Sequence, residues 1–117
     1  MTPFGMKLRE LREERGLNQK ELAKALHVSA AYLSALEHGR RPPPTFQFVQ
    51  RVIGFFNIIW DDAEDVQRLA GISDPRVTID TAGLDPLATE VANLLSDRVR
   101  ELDRAKLEAI KALLQKN

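Results

Sequence analysis

Between residues 18 and 41 the chain reads NQKELAKALHVSAAYLSALEHGRR, a stretch rich in groups that hydrogen-bond to anions or to planar rings. Asn18 and Gln19 bring amides, and Ser29, Tyr32 and Ser34 bring hydroxyls. His38 adds an imidazole, and Arg40 and Arg41 add two guanidiniums. These side chains suit recognition better than catalysis. The whole chain has two His and no Cys, which excludes thiolate nucleophiles, thiolate metal sites and disulfides. It also lacks a glycine-rich phosphate loop and an isolated carboxylate pair in an apolar setting. No catalytic constellation, metal site or cofactor site is therefore expected.

Two short amphipathic segments must position these groups. Asn18 is placed to cap a helix, with Glu21 three residues later in capping-box position. Leu22, Ala23 and Leu26 form the apolar side of that helix. Ser29 caps a following helix bearing Leu33 and Leu36, and Gly39 ends it. Only His27, Val28 and the Ser29 cap lie between them. Two short helices joined so tightly form a helix-turn-helix, whose second helix fits the major groove of double-stranded DNA. Ala23 is small where the helices cross, and Val28 plugs the turn. Ser29 exposes the front of the second helix, and Ala30, Ala31, Tyr32, Ser34 and Ala35 point outward along it.

The rest of the chain reads as helical too. Thr2 and Pro3 start a first helix with Phe4, Leu8 and Leu11 inward, and Gly16 stops it. RRPPP cannot be helical and leads to Thr45, the cap of a fourth helix with Phe46, Val49, Ile53 and Phe56 inward. Asp61 and Asp62 suit the start of a fifth, where negative charge favours a helix N-terminus. The stretch 71–83 carries Gly and Pro, and only RVTID alternates as a short strand would. Asp85–Pro86 then opens a helix with Leu87, Val91, Leu95, Val99 and Leu102 in register. The stripe slips phase before Leu107, Ile110 and Leu114, so Asp103 is placed to cap another helix. A helical hairpin fits this slip better than one bent rod.

The 117 residues are 44% hydrophobic and 29% charged, enough for one compact domain or a small domain with an appendage. Net charge is zero by cancellation. Residues 1–60 hold nine Lys/Arg against five acids, and residues 61–117 hold eight against twelve. The split hints at a front that faces a polyanion. No apolar run follows a basic start, so a signal peptide is not expected. The most apolar stretch, VIGFFNIIW, is far short of the roughly 20 residues a membrane span needs. A cytoplasmic protein with no membrane partner is expected.

The segment LRELREERGLNQKELAKALHVSAAYLSALEHGRR resembles the helix-turn-helix of the phage-repressor, Cro-like or XRE-type regulators, and the layout of residues 4–70 fits that family throughout. The resemblance implies an all-α fold. It implies a five-helix lambda-repressor-like DNA-binding domain at 1–70; the linker at 71–83 and the C-terminal helical hairpin at 84–117 lie outside the resemblance and rest on the patterning of the residues alone. It implies that Asn18 and Gln19 meet a phosphate at the front of the second helix. It also implies that His38, Arg40 and Arg41 grip the DNA backbone, and that Arg12 and Glu37 form a buried ion pair of purely structural use. The bland alternative for Arg40 and Arg41 is a solvated loop. The family usually has Gly where this chain has His27.

Bidentate base readers are absent from the outward face of the third helix. Ala30 and Ala31 offer contacts to thymine methyls, and Ser34 a single hydrogen bond. Tyr32 either does the same or packs on the second helix. Specificity then leans on DNA shape, dimer spacing and the arginines near the groove edge. The C-terminal stripes must cover something: their own five-helix domain, a second copy of the chain, or another protein. A homodimer is expected, because one helix-turn-helix contacts little DNA. The function expected is a sequence-specific regulator, a repressor reading an inverted repeat. The rival is an antitoxin or anti-activator whose C-terminal hairpin binds a protein partner.

Overall fold

The computed structural model describes residues 1–115. Positions 116 and 117, the end of the predicted C-terminal segment, lie outside the described residues. Among those described, seven α-helices follow in order: α1 Pro3–Glu14, α2 Gln19–Leu26, α3 Ala30–Glu37, α4 Phe46–Phe55, α5 Trp60–Gly71, α6 Pro86–Arg98 and α7 Arg104–Gln115. The chain divides into two units, the first Met1–Val77 and the second from Thr78 onward.

Local chemistry starts the first four helices of the first unit where the sequence suggests. The Gly5 amide donates to Thr2 Oγ1 at 3.0 Å. Asn18 and Glu21 complete a capping box, and the Ser29 and Thr45 hydroxyls accept from Tyr32 N and Phe48 N. Such caps satisfy amides that have no partner inside the helix. α5 differs, since it begins one residue before Asp61 and has no side-chain cap at Ile59.

α1 packs on α3 and α5, α2 on α3 and α4, and α4 on α5. One apolar core results, from Phe4 and Leu8 through Leu22, Leu33 and Val49 to Val66. Phe46 does not join it. It is 62% exposed while Phe48 is 2% exposed. The buried side of α4 runs through Phe48, Val49 and Val52, which leaves Phe46 roughly a quarter turn off that face. Ile53, two turns on at the same edge as Phe46, is half-buried.

Two expectations for 71–83 are corrected. No β-strand forms among the described residues, because an extended segment without a partner has no ladder to join. Asp74 and Asp80 instead accept from amides two residues on, Arg76 N and Ala82 N, holding local turns. Ser73, assigned to the linker, belongs to the first unit. It is 3% exposed, accepts from Phe4 N at 2.9 Å and donates to the Leu69 carbonyl. It thereby satisfies a second orphan amide at the start of α1.

In the second unit Asp85 caps α6 through Leu87 N at 2.7 Å. A 3-10 turn, Val99–Glu101, ends that helix. Leu102 is extended, and Asp103 accepts from Lys106 N at the start of α7. The phase slip is thus a true break between two helices. Neither has a buried residue among those described. Their apolar sides line an open groove of about 660 Å³, with Val91, Leu95, Leu102, Ile110 and Leu113 among its walls.

Candidate nucleic-acid interface

The turn between α2 and α3 is built on one residue of left-handed backbone. His27 sits at φ 60°, ψ 41°, a region that glycine enters freely and other residues at a cost. Val28 N donates to the Ala23 carbonyl at 3.0 Å, and the Val28 side chain packs half-buried against the core. Ala23 is 2% exposed.

The far end of α3 is clamped by α1. Arg12 donates through Nε to Glu37 Oε2 at 2.9 Å and through Nη2 to Oε1 at 3.0 Å. Its Nη1 reaches the Leu17 carbonyl at 2.9 Å. Glu37 is 1% exposed, so an unpaired carboxylate there would be costly. The hydrogen bond to Glu37 is the main cause that raises the Arg12 pKa above its ordinary value, with burial opposing it. Beside this pair, a side chain at Gly5 would run into the Leu36 carbonyl. Only glycine lets α1 come so close to α3.

The residues singled out from the sequence fare differently. Ser29, Ala30 and Ala31 are exposed at the front of α3, and Ser34 and Ala35 are half-buried along it. Asn18 is exposed, but its Oδ1 is taken by Glu21 N at 2.7 Å, which leaves the amide N–H groups as its free donors. Gln19 is less free than expected, since its Nε2 donates to Glu37 Oε1 at 3.2 Å. His38 contacts the Ser34 carbonyl through Nδ1 at 2.8 Å. An imidazole must donate to a carbonyl, so Nδ1 carries the proton in that contact. Arg40 and Arg41 are exposed, and the Arg41 guanidinium lies 5.3 Å above the Tyr32 ring.

Tyr32 packs on Phe48 of α4. Its ring meets Phe48 edge-on, 5.7 Å between centroids. The pairing needs α4 beside α3, a neighbour that no local spacing reveals.

The basic residues of the first sixty divide by task. Arg15 donates to the Phe56 carbonyl at 3.1 Å and lies over the Phe55 and Phe56 rings. Arg51 donates to the Leu26 carbonyl at 2.7 Å and lies over Phe48. These two close the C-terminal ends of α4 and α2, while Arg12 ties the loop after α1 and the end of α3. Lys7 and Arg9 pair with Glu10 and Glu13 along α1. Lys20, Lys24, Arg40 and Arg41 remain exposed without a carboxylate partner among the described residues. Lys20 and Lys24 were not singled out from the sequence. Their spacing of four, away from Leu22 and Leu26, was the signal that could have found them. The opposing acids of the second half begin with Asp61, Asp62, Glu64 and Asp65 on α5. The charge divide therefore falls inside the first unit, between α5 and the elements before it.

A capped tight turn that exposes the front of a short helix next to unpaired cations defines a helix-turn-helix protein. Residues 3–56 match the family model described as a helix-turn-helix domain. The chain is 35% identical over 104 residues to the HTH-type transcriptional regulator DdrOP3 of Deinococcus deserti, spanning 86% of this chain and 78% of that one. It is 33% identical over 101 residues to the HTH-type transcriptional regulator RamB of Mycobacterium tuberculosis, spanning 81% of this chain and 20% of RamB. Against the HTH-type transcriptional regulator PrpR of the same organism it is 55% identical over 41 residues, 35% of this chain and 8% of PrpR. The chain belongs to the XRE-like helix-turn-helix family of transcriptional regulators. Among the described residues, no helix is long and apolar enough to cross a membrane.

Proposed function

We propose that this chain is a sequence-specific transcriptional regulator that binds double-stranded DNA as a homodimer and represses at an inverted repeat. The observation that carries the reading is the exposed front of α3, Ser29 to Ala31, with Arg40 and Arg41 at its other end. α3 lies in the major groove, where Ala30 and Ala31 meet thymine methyls and Ser34 supplies one hydrogen bond. Asn18 N–H groups, the amides at the start of α2, His38 and the arginines hold phosphates. Gln19 contributes through its backbone, since its side chain is engaged by Glu37. Its relatives carry the name of transcriptional regulators, which supports the class.

Dimerisation is assigned to α6 and α7. Leu87, Val91, Leu94, Leu113 and Leu114 are each more than half exposed, and grouped apolar side chains of this kind mark an interaction surface. A second copy covering these faces would join two α3 helices in one molecule, as an inverted repeat requires. The same groove also supports a second reading, in which a small partner protein occupies it and the chain acts as an antitoxin or anti-activator. Selection from random-sequence duplex DNA, with light scattering on the same preparation, separates the two. A palindromic motif and a dimeric mass support the regulator. No enriched sequence from a monomeric protein overturns it.

A further inference from the structure

We infer that Tyr32 is a positioning residue for Arg41: its ring holds the Arg41 guanidinium beside α3, ready for a DNA phosphate, and its hydroxyl reads no base. This rests on the DNA-binding reading above. The Arg41 guanidinium carbon stands 5.3 Å from the Tyr32 ring centroid, within the range of cation–π attraction. Stacking occupies one face of the guanidinium and leaves its edge N–H groups free, the geometry a phosphate needs for a bidentate contact.

The platform is itself braced. Tyr32 sits edge-on against Phe48 at 5.7 Å. Phe48 is 2% exposed and has the Arg51 guanidinium 5.6 Å from its centroid. Arg51 is pinned to the Leu26 carbonyl at the end of α2. Tyr32 cannot swing toward a base edge without giving up Phe48. Arg41 has no carboxylate partner among the described residues, so its charge is free for a ligand. An arginine held in place loses less side-chain freedom on binding than a free one.

The test is duplex binding by the full chain, on its selected site, over a salt series. Tyr32→Phe keeps the ring and should bind as the parent does. Tyr32→Leu should bind about 2- to 5-fold more weakly per half-site, the scale of an exposed cation–π contact. Arg41→Ala should lose affinity and flatten the salt dependence, and adding Tyr32→Leu to it should cost nothing more. Arg41→Lys keeps the charge but not the flat stack, so it should bind more weakly with an unchanged salt slope. That variant decides the matter if Tyr32→Leu fails to fold. Equal affinity of Arg41→Lys and parent, additive losses in the double variant, or a changed preferred sequence for Tyr32→Phe overturns the inference. If the parent itself selects no duplex sequence, the regulator reading fails first.

Discussion

Arg12 and Glu37 meet fork to fork, with Nε 2.9 Å from Oε2 and Nη2 3.0 Å from Oε1. The pair joins α1 to the last residue of α3, so the helix assigned to DNA is held at its rear by charge and at its front by the turn. Gln19 adds a third donor to the same carboxylate. One buried anion thus ties α1, α2 and α3 together.

Breaking that pair should be a stability lesion. Arg12→Ala leaves Glu37 buried with Gln19 as its remaining side-chain donor, a loss on the order of 3 kcal/mol. Chemical denaturation should show it directly. Arg41→Ala should change stability by less than about 1 kcal/mol, the scale of an exposed cation–π contact, and should weaken DNA binding instead. Reversed phenotypes would mean that the helix facing DNA has been misassigned.

Gly5→Ala should be more damaging than its size suggests. The added methyl meets the Leu36 carbonyl, which cannot move without shifting α3. A cost of roughly 1–3 kcal/mol is expected for such overpacking. In thermal melts this is a drop of roughly 4–8 °C per kcal/mol for a domain of this size. An unchanged melting temperature would place α1 farther from α3.

The opposite sign is expected at the turn. His27 lies at φ 60° and is exposed, so replacing it with glycine removes a left-handed penalty of about 1–2 kcal/mol. Greater freedom of glycine in the unfolded chain takes back up to about 1 kcal/mol. His27→Gly should therefore unfold at a modestly higher denaturant concentration while binding the same DNA. A loss of stability would mean that the imidazole makes a contact worth more than the strain.

Residues 1–77 alone should fold and stay monomeric, because the whole buried core lies within them. Residues 1–70 should be less stable by about 1–3 kcal/mol, since losing Ser73 leaves the buried Phe4 amide without its partner. Ser73→Ala in the full chain should reproduce most of that loss. Light scattering should give a dimer only when α6 and α7 are present. A dimeric 1–77 fragment would move the assembly surface into the first unit.

Salt should separate phosphate contacts from base contacts. Each neutralised phosphate adds about −0.9 to the slope of log affinity against log salt, so two or three such phosphates per half of a dimer give roughly −4 to −5. Arg40→Ala should make the slope shallower by about 2, because each half then neutralises one phosphate fewer, and should not change the preferred sequence. Ala31→Gln should do the reverse, shifting the preference and leaving the slope. A slope near zero would make the exposed cations a solvated surface and return the chain to the protein-interaction reading.

The local devices were legible before any fold was known, because each depends on neighbours a few residues away. Thr2, Asn18, Ser29, Thr45, Asp85 and Asp103 cap their helices through amides two or three residues on. The stripe of Leu22, Ala23 and Leu26 is buried as its spacing demands. Arg12 and Glu37 were paired by resemblance, not by spacing, since 25 residues separate them.

What only the tertiary structure decided is which side chains remain free to act. Of the nine bases in the first sixty residues, only Arg12, Arg40 and Arg41 had roles assigned. The fold alone shows that Arg15 and Arg51 complete the ends of helices that the chain brings to them from 41 and 25 positions away. Gln19 was diverted to Glu37, Tyr32 to Phe48, and Ser73 to the first turn of α1. Phe46 was left outside because the buried face of α4 is set by the helices packed on it, not by its own period. Sequence fixes hydrogen bonds across one turn of backbone, since the chain itself supplies the geometry. Partners 25 or 69 residues apart meet only after the core has chosen how its helices cross.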